Sequence, residues 1–116
     1  MFRINEYLYT PPGAPARPTV LQALKCADGF TMSVQASEIH YCSPRESGLN
    51  HYDSVEVGFP SQREESLMEY ADDPENPIVY GWVPVEVVDA IINAHGGLKK
   101  DYFAEAMQEV EKFLNE

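Results

Sequence analysis

The stretch Ile78-Val79-Tyr80-Gly81-Trp82-Val83-Pro84-Val85-Glu86-Val87-Val88-Asp89-Ala90-Ile91-Ile92-Asn93-Ala94-His95-Gly96-Gly97 decides the fold. Residues 78 to 83 are β-branched or aromatic apart from one glycine and read as a strand. Pro84 suits the first turn of a helix, where a missing N–H is no loss. From there Val85, Val88, Ile91 and Ile92 recur at helical spacing, and Gly96-Gly97 supply a left-handed stop. A further helix is expected over Asp101 to Leu114, with Asp101 as cap and a stripe of Phe103, Ala106, Met107, Val110 and Leu114.

Upstream the pattern is that of strands. Thr19 to Cys26, the turn Ala27-Asp28-Gly29, and Phe30 to Ala36 predict a hairpin, because Asp-Gly tolerates the positive φ angles of a tight turn. Phe30, Met32, Val34 and Ala36 share one face, opposite Thr31, Ser33 and Gln35. Glu38 to Cys42 is expected to continue as strand, residues 43 to 51 to be loop by their Pro, Gly, Ser and Asn content, and Tyr52 to Phe59 to be strand. Residues 64 to 75 predict one or two helical turns, ended by Pro74 and Pro77. Strands followed by helices imply an α+β domain: an antiparallel sheet of four to five strands with two C-terminal helices packed on one face. Residues 2 to 9 read as a short strand, and the prolines at 11, 12, 15 and 18 make residues 11 to 18 a linker. The expected organisation is an N-terminal arm over 1–18, packed on the domain, swapped or loose, and a single domain over 19–116.

The chain has 116 residues and a net charge of −11, with 44% hydrophobic and 11% aromatic residues, a composition that builds a packed core. The charge is unevenly placed. Residues 61 to 116 carry thirteen acids against four bases, and residues 1 to 60 six against four. Glu64, Glu65, Glu69, Asp72, Asp73 and Glu75 fall within twelve residues that hold no Lys or Arg, an unopposed negative field that repels nucleic acid and attracts basic partners. Two cysteines, an amino terminus without the apolar core of a signal peptide, and no membrane-length apolar run point to a cytoplasmic protein with free thiols.

Phosphate-loop, dinucleotide, nucleophile-elbow, CxxC and HExxH patterns are all missing, so the common catalytic classes have no signature and no cofactor is expected. Cys26, His40, Cys42 and His51 are the residue types of a zinc site, but structural zinc draws its ligands from knuckles with a matched second pair, which this spacing lacks. No metal is expected. A thiol nucleophile at Cys42 or Cys26, with His40 or His51 as base and Asp53 behind it, needs a lowered pKa that neither cysteine's surroundings predict. Calcium at Asp72-Asp73-Pro74-Glu75-Asn76 lacks the alternating oxygen ligands of an EF-hand loop. Tyr41, Tyr52, Tyr70, Tyr80 and Trp82 stand in or beside the polar and acidic segments; such rings either dominate an interface or cover one face of the sheet.

Read as whole strings, residues 26 to 36 and 79 to 88 resemble stretches of small bacteriophage- and prophage-encoded proteins, over less than a fifth of the chain. Proteins of that class include inhibitors of host defence such as anti-CRISPR proteins, some of which occupy the basic nucleic-acid channel of an effector. The resemblance implies a non-enzymatic DNA mimic acting by protein–protein interaction in the host cytoplasm. The acidic run and the aromatic residues beside it supply the contact residues for that role, Glu64, Glu65, Glu69, Tyr70, Asp72, Asp73, Glu75, Tyr80 and Trp82, with a basic host protein as the expected partner and no direct nucleic-acid or membrane contact. A homodimer through the last helix is open. The alternative is a small-molecule pocket or minor enzyme built from His40, Cys42, Arg45, His51 and Tyr52, with Arg45 as anion anchor. A third option is a virion component kept soluble by its acidity.

Overall fold

A computed structural model describes residues 1–9, 13 and 20–99. The element order is α1 (Ile4–Leu8), β1 (Leu24–Lys25), β2 (Thr31–Gln35), β3 (Ser54–Gly58), a 3-10 helix (Glu65–Tyr70), β4 (Val79–Pro84) and α2 (Val85–Ala94). The four strands form one antiparallel sheet in the order β1-β2-β3-β4, each paired with its neighbour in sequence. The chain is thus an α+β domain, as strands followed by helix imply. The expected helix over Asp101 to Leu114 lies outside the described residues.

The hairpin forms as its sequence dictates. Gly29 takes φ +95, the Cys26 N–H donates to the Phe30 carbonyl at 2.8 Å, and Leu24 pairs with Met32. Met32 and Val34 of β2, Val55 and Val57 of β3, and Tyr80 and Val83 of β4 are all buried. They meet Val85, Val88, Ile91 and Ile92 of α2 in a single core. Each fully buried aliphatic side chain contributes about 1.5–3 kcal/mol.

Three readings of the sequence are corrected. Residues 4 to 8 are helix instead of strand, and Ile4, Tyr7 and Leu8 belong to the same core as the sheet. Side chains far along the sequence hold this helix in place. The Ile4 N–H donates to Asp89 Oδ1 at 2.7 Å, the Phe2 N–H to Asn93 Oδ1 at 3.0 Å, and Asn93 Nδ2 returns a bond to the Phe2 carbonyl at 2.9 Å. Among the described residues of the strand expected over 19 to 26, Leu24–Lys25 pairs with β2 and Cys26 bridges to Leu98, while Leu21 is held at both backbone groups by the buried Gln35 carboxamide. The strand expected over 38 to 42 does not form: residues 38 to 41 are turn and bend, because Ser37 Oγ captures the Ile39 N–H and the His40 ring, a local alternative to strand pairing.

In β4 the register shifts: Val57 pairs with Tyr80 and Val55 with Val83, so a two-residue step on β3 spans a three-residue step on β4. The extra residue is a bulge at Gly81-Trp82, with Trp82 left-handed at φ +49. It keeps Tyr80 and Val83 both toward the core and turns Trp82 outward.

Candidate acidic interface

The acidic segment is mounted on the sheet edge. Leu67, 0% exposed, plants the 3-10 helix in the core. Beyond it Ala71 bridges to Tyr80, and the Asp72 N–H donates to the Val79 carbonyl at 2.9 Å. Asp73 shapes the following turn: its Oδ1 accepts from the Glu75 N–H at 3.0 Å and its carbonyl from the Asn76 N–H at 3.1 Å. Glu69, Asp72, Asp73 and Glu75 are exposed on this frame, with Tyr70 half-buried beside them.

Two acids of the segment are not free. Arg63 Nε donates to Glu65 Oε1 at 2.6 Å, and this neighbour holds the Glu65 carboxyl below its ordinary value. The field is therefore opposed at its amino-terminal end. Glu64 turns inward, its Oε1 lying 2.6 Å from His95 Nε2. On the other side of the ring, His95 Nδ1 meets Asp28 Oδ2 at 2.5 Å. Phe30 stacks on the imidazole at 4.1 Å between centroids. The bonds to Glu64 and Asp28 raise the His95 pKa, and the Asp28 carboxyl is lowered by the Phe30 N–H and by His95. His95 is among none of the candidates read from the sequence; its place at the end of an amphipathic helix in so acidic a chain is the one signal for it.

The aromatic residues divide. Tyr80 is 2% exposed and serves the core, which corrects its placement among the contact residues. Trp82, 53% exposed, stacks on Tyr41 at 5.0 Å between centroids, and the Arg45 guanidinium lies 5.5 Å from the Tyr41 ring centre. Gly81 makes room for this cluster, since a Cβ there would sit 3.2 Å from Tyr41 Cβ. The Trp82 N–H donates to the Tyr41 carbonyl and the Tyr41 N–H to Glu56 Oε2, which fasten residue 41 across the outer face of the sheet.

Of the five residues of the alternative pocket, His40 and Cys42 share Ser37, and Cys42 lies close enough to Arg45 and Tyr52 to interact with both electrostatically. His40 bonds Ser37 Oγ at 2.6 Å, and the Cys42 thiol donates to the Ser37 carbonyl at 3.2 Å. Tyr52 OH donates to the Glu46 carbonyl at 2.7 Å. These three buried side chains pin the 37–52 loop to itself, while Arg45 and His51 are exposed, the latter 3.5 Å from Asp53. Burial and the carboxylates of Asp28 and Glu64 push the Cys26 thiol up to about 11, and burial raises Cys42. Both stay protonated at neutral pH, the opposite of what a thiolate nucleophile or zinc ligand needs. Among the described residues no group of three or more His, Cys, Asp or Glu is arranged to hold a metal ion. Nor is any described helix long and apolar enough to cross a membrane.

No family model, curated protein or solved structure matches this chain.

Proposed function

We propose that this chain is an acidic binding protein of the phage-inhibitor type, which occupies the nucleic-acid-binding surface of a basic host protein and does no chemistry of its own. A host defence complex of the kind that anti-CRISPR proteins block is the partner class that fits this reading. The observation that carries it is the mounting of Glu69, Asp72, Asp73 and Glu75: four exposed carboxylates on a short segment tied to the core by Leu67 and to β4 by backbone bonds. A mimic of duplex phosphates, spaced about one charge per 1.7 Å of axis, needs its carboxylates held on a stiff frame at comparable density. Fixed charges also lose less freedom on binding than charges on a loose tail. Trp82 and Tyr41 supply a second contact of the type that dominates interfaces, large rings that lose few rotamers when covered. Glu64 and Glu65 play a lesser part, because each is paired within the chain, Glu64 with His95 and Glu65 with Arg63.

The test is capture from bacterial lysate at low and at high salt, with the variant carrying Glu69→Lys, Asp72→Lys, Asp73→Lys and Glu75→Lys as comparison. The reading expects a nucleic-acid-binding protein that is retained by the parent at low salt, released at high salt and not retained by the variant. Equal retention by parent and variant sinks it.

A further inference from the structure

The imidazole of His95 ties together three elements through its two ring nitrogens. It sits at the carboxyl end of α2, with Asp28 of the β1–β2 turn on one nitrogen and Glu64, at the start of the acidic segment, on the other. A neutral imidazole has one N–H and one lone pair, so it satisfies one carboxylate and presents a lone pair to the second. Only the imidazolium donates to both. The ring cannot easily turn away from the choice, because Phe30 lies parallel to it, 8° between planes.

The charged and titratable groups around the ring all favour the cation. Asp28 faces it from the β1–β2 turn, and Glu64 from the segment before the 3-10 helix. On α2 itself the last turn holds no basic side chain, and its carbonyl end attracts positive charge. Among the described residues His95 is the only cation within ion-pair distance of Asp28 or Glu64.

We propose that His95 is a proton-operated latch on the acidic face: doubly protonated, it holds Glu64 against α2 and the β1–β2 turn, and on losing one proton it keeps Asp28, which the Phe30 N–H also fixes, and releases Glu64 to solvent as a further charge of the acidic segment. The cluster of two carboxylates and one imidazolium carries −1 when closed and −2 when open. The segment stays fastened on either side of the release. Ser61 exchanges bonds with Thr31, its N–H to the Thr31 carbonyl and its Oγ accepting the Thr31 N–H, and Leu67 remains in the core. Residues 62 to 66 are the part that moves. The latch is a regulation of the acidic face and in that sense rests on the function proposed above; its physical operation is read on the chain alone.

The experiment is an NMR titration of the His95 ring in the full chain, run beside amide-exchange protection at Leu67, whose N–H donates to the Glu64 carbonyl. The ring is expected to titrate above the ordinary value of about 6.5. Protection at the Leu67 amide, corrected for intrinsic rates, should fall about tenfold through that titration, while Val34 and Val57 hold. Glu64→Gln should bring the ring's pKa down. A ring that titrates at or below its ordinary value, or protection that stays flat while it titrates, overturns the latch. Neither readout uses a partner, so a failed capture leaves the latch standing, and a flat titration removes the latch without touching the capture result.

Discussion

Tyr80 and Trp82 stand two residues apart in β4 and point to opposite sides of the sheet, 2% and 53% exposed. The bulge between them does this, and it leaves a bulky residue at φ +49, a conformation that costs a non-glycine side chain about 1–3 kcal/mol. Tyr80 thus gives its ring to the core, while Trp82 gives its ring to Tyr41 and to solvent.

The pair therefore separates under mutation. Tyr80→Ala is expected to cost about 3 kcal/mol or more of stability, as loss of a buried ring does. Trp82→Gly is expected to cost under about 1 kcal/mol, because relief of the left-handed strain offsets the lost stack on Tyr41. Denaturant unfolding followed by far-UV circular dichroism checks both; a Trp82→Gly protein as damaged as Tyr80→Ala would contradict the division of roles.

Asn93 holds both backbone groups of Phe2, and Asp89 the N–H of Ile4. Asn93→Ala unpairs two partly buried backbone groups and is expected to cost about 1–3 kcal/mol. It should also make the first nine residues cleavable by protease under conditions in which the parent resists. An unchanged cleavage pattern would mean that α1 is held by its apolar face alone.

The thiols give a plain chemical expectation. With Cys26 pushed up to about 11 and buried, and Cys42 raised by burial, neither should be alkylated appreciably in the native chain at neutral pH. Both should react once the chain is unfolded. Rapid native labelling at either site would reopen the nucleophile reading.

What the sequence makes legible is local. Asp28-Gly29 sets the hairpin, and the spacing of Val85, Val88, Ile91 and Ile92 sets α2, because turn chemistry and helical periodicity are written in neighbouring residues. The features that are not legible depend on partners far away in the chain. Asn5 grips Tyr52 at both its N–H and its carbonyl across 47 positions, and Asn93 reaches Phe2 across 91. His95 finds its carboxylates 67 and 31 positions away, so its role has no local trace. Strand alternation puts Tyr80 and Trp82 on one face, and a one-residue bulge overrules alternation without announcing itself in residue type. Composition finds the acidic segment but not which of its acids are free, since Glu64 and Asp72 differ only in what stands opposite them.

For pH, the sign follows from the imidazole. Its folded pKa is raised by Glu64 and Asp28, so its contribution is complete below about 6.5, the unfolded value, and is lost as pH rises through the folded one. The stability advantage of the parent over His95→Gln should therefore be greatest in mild acid and shrink on the alkaline side. On the acid side the lowered Asp28 acts in reverse, its contribution fading as pH falls through its folded value. Chemical denaturation of both proteins across pH measures the difference, and an advantage that grows toward alkaline pH would contradict the assignment.

The most direct measurement is the affinity of the captured basic protein for the parent and for the variant reversed at Glu69, Asp72, Asp73 and Glu75, taken across a salt series. The account requires parent affinity that falls steeply with salt and a variant without measurable binding. Equal affinities with a flat salt dependence would contradict it, and the acidic face would then be a solvated surface and nothing more.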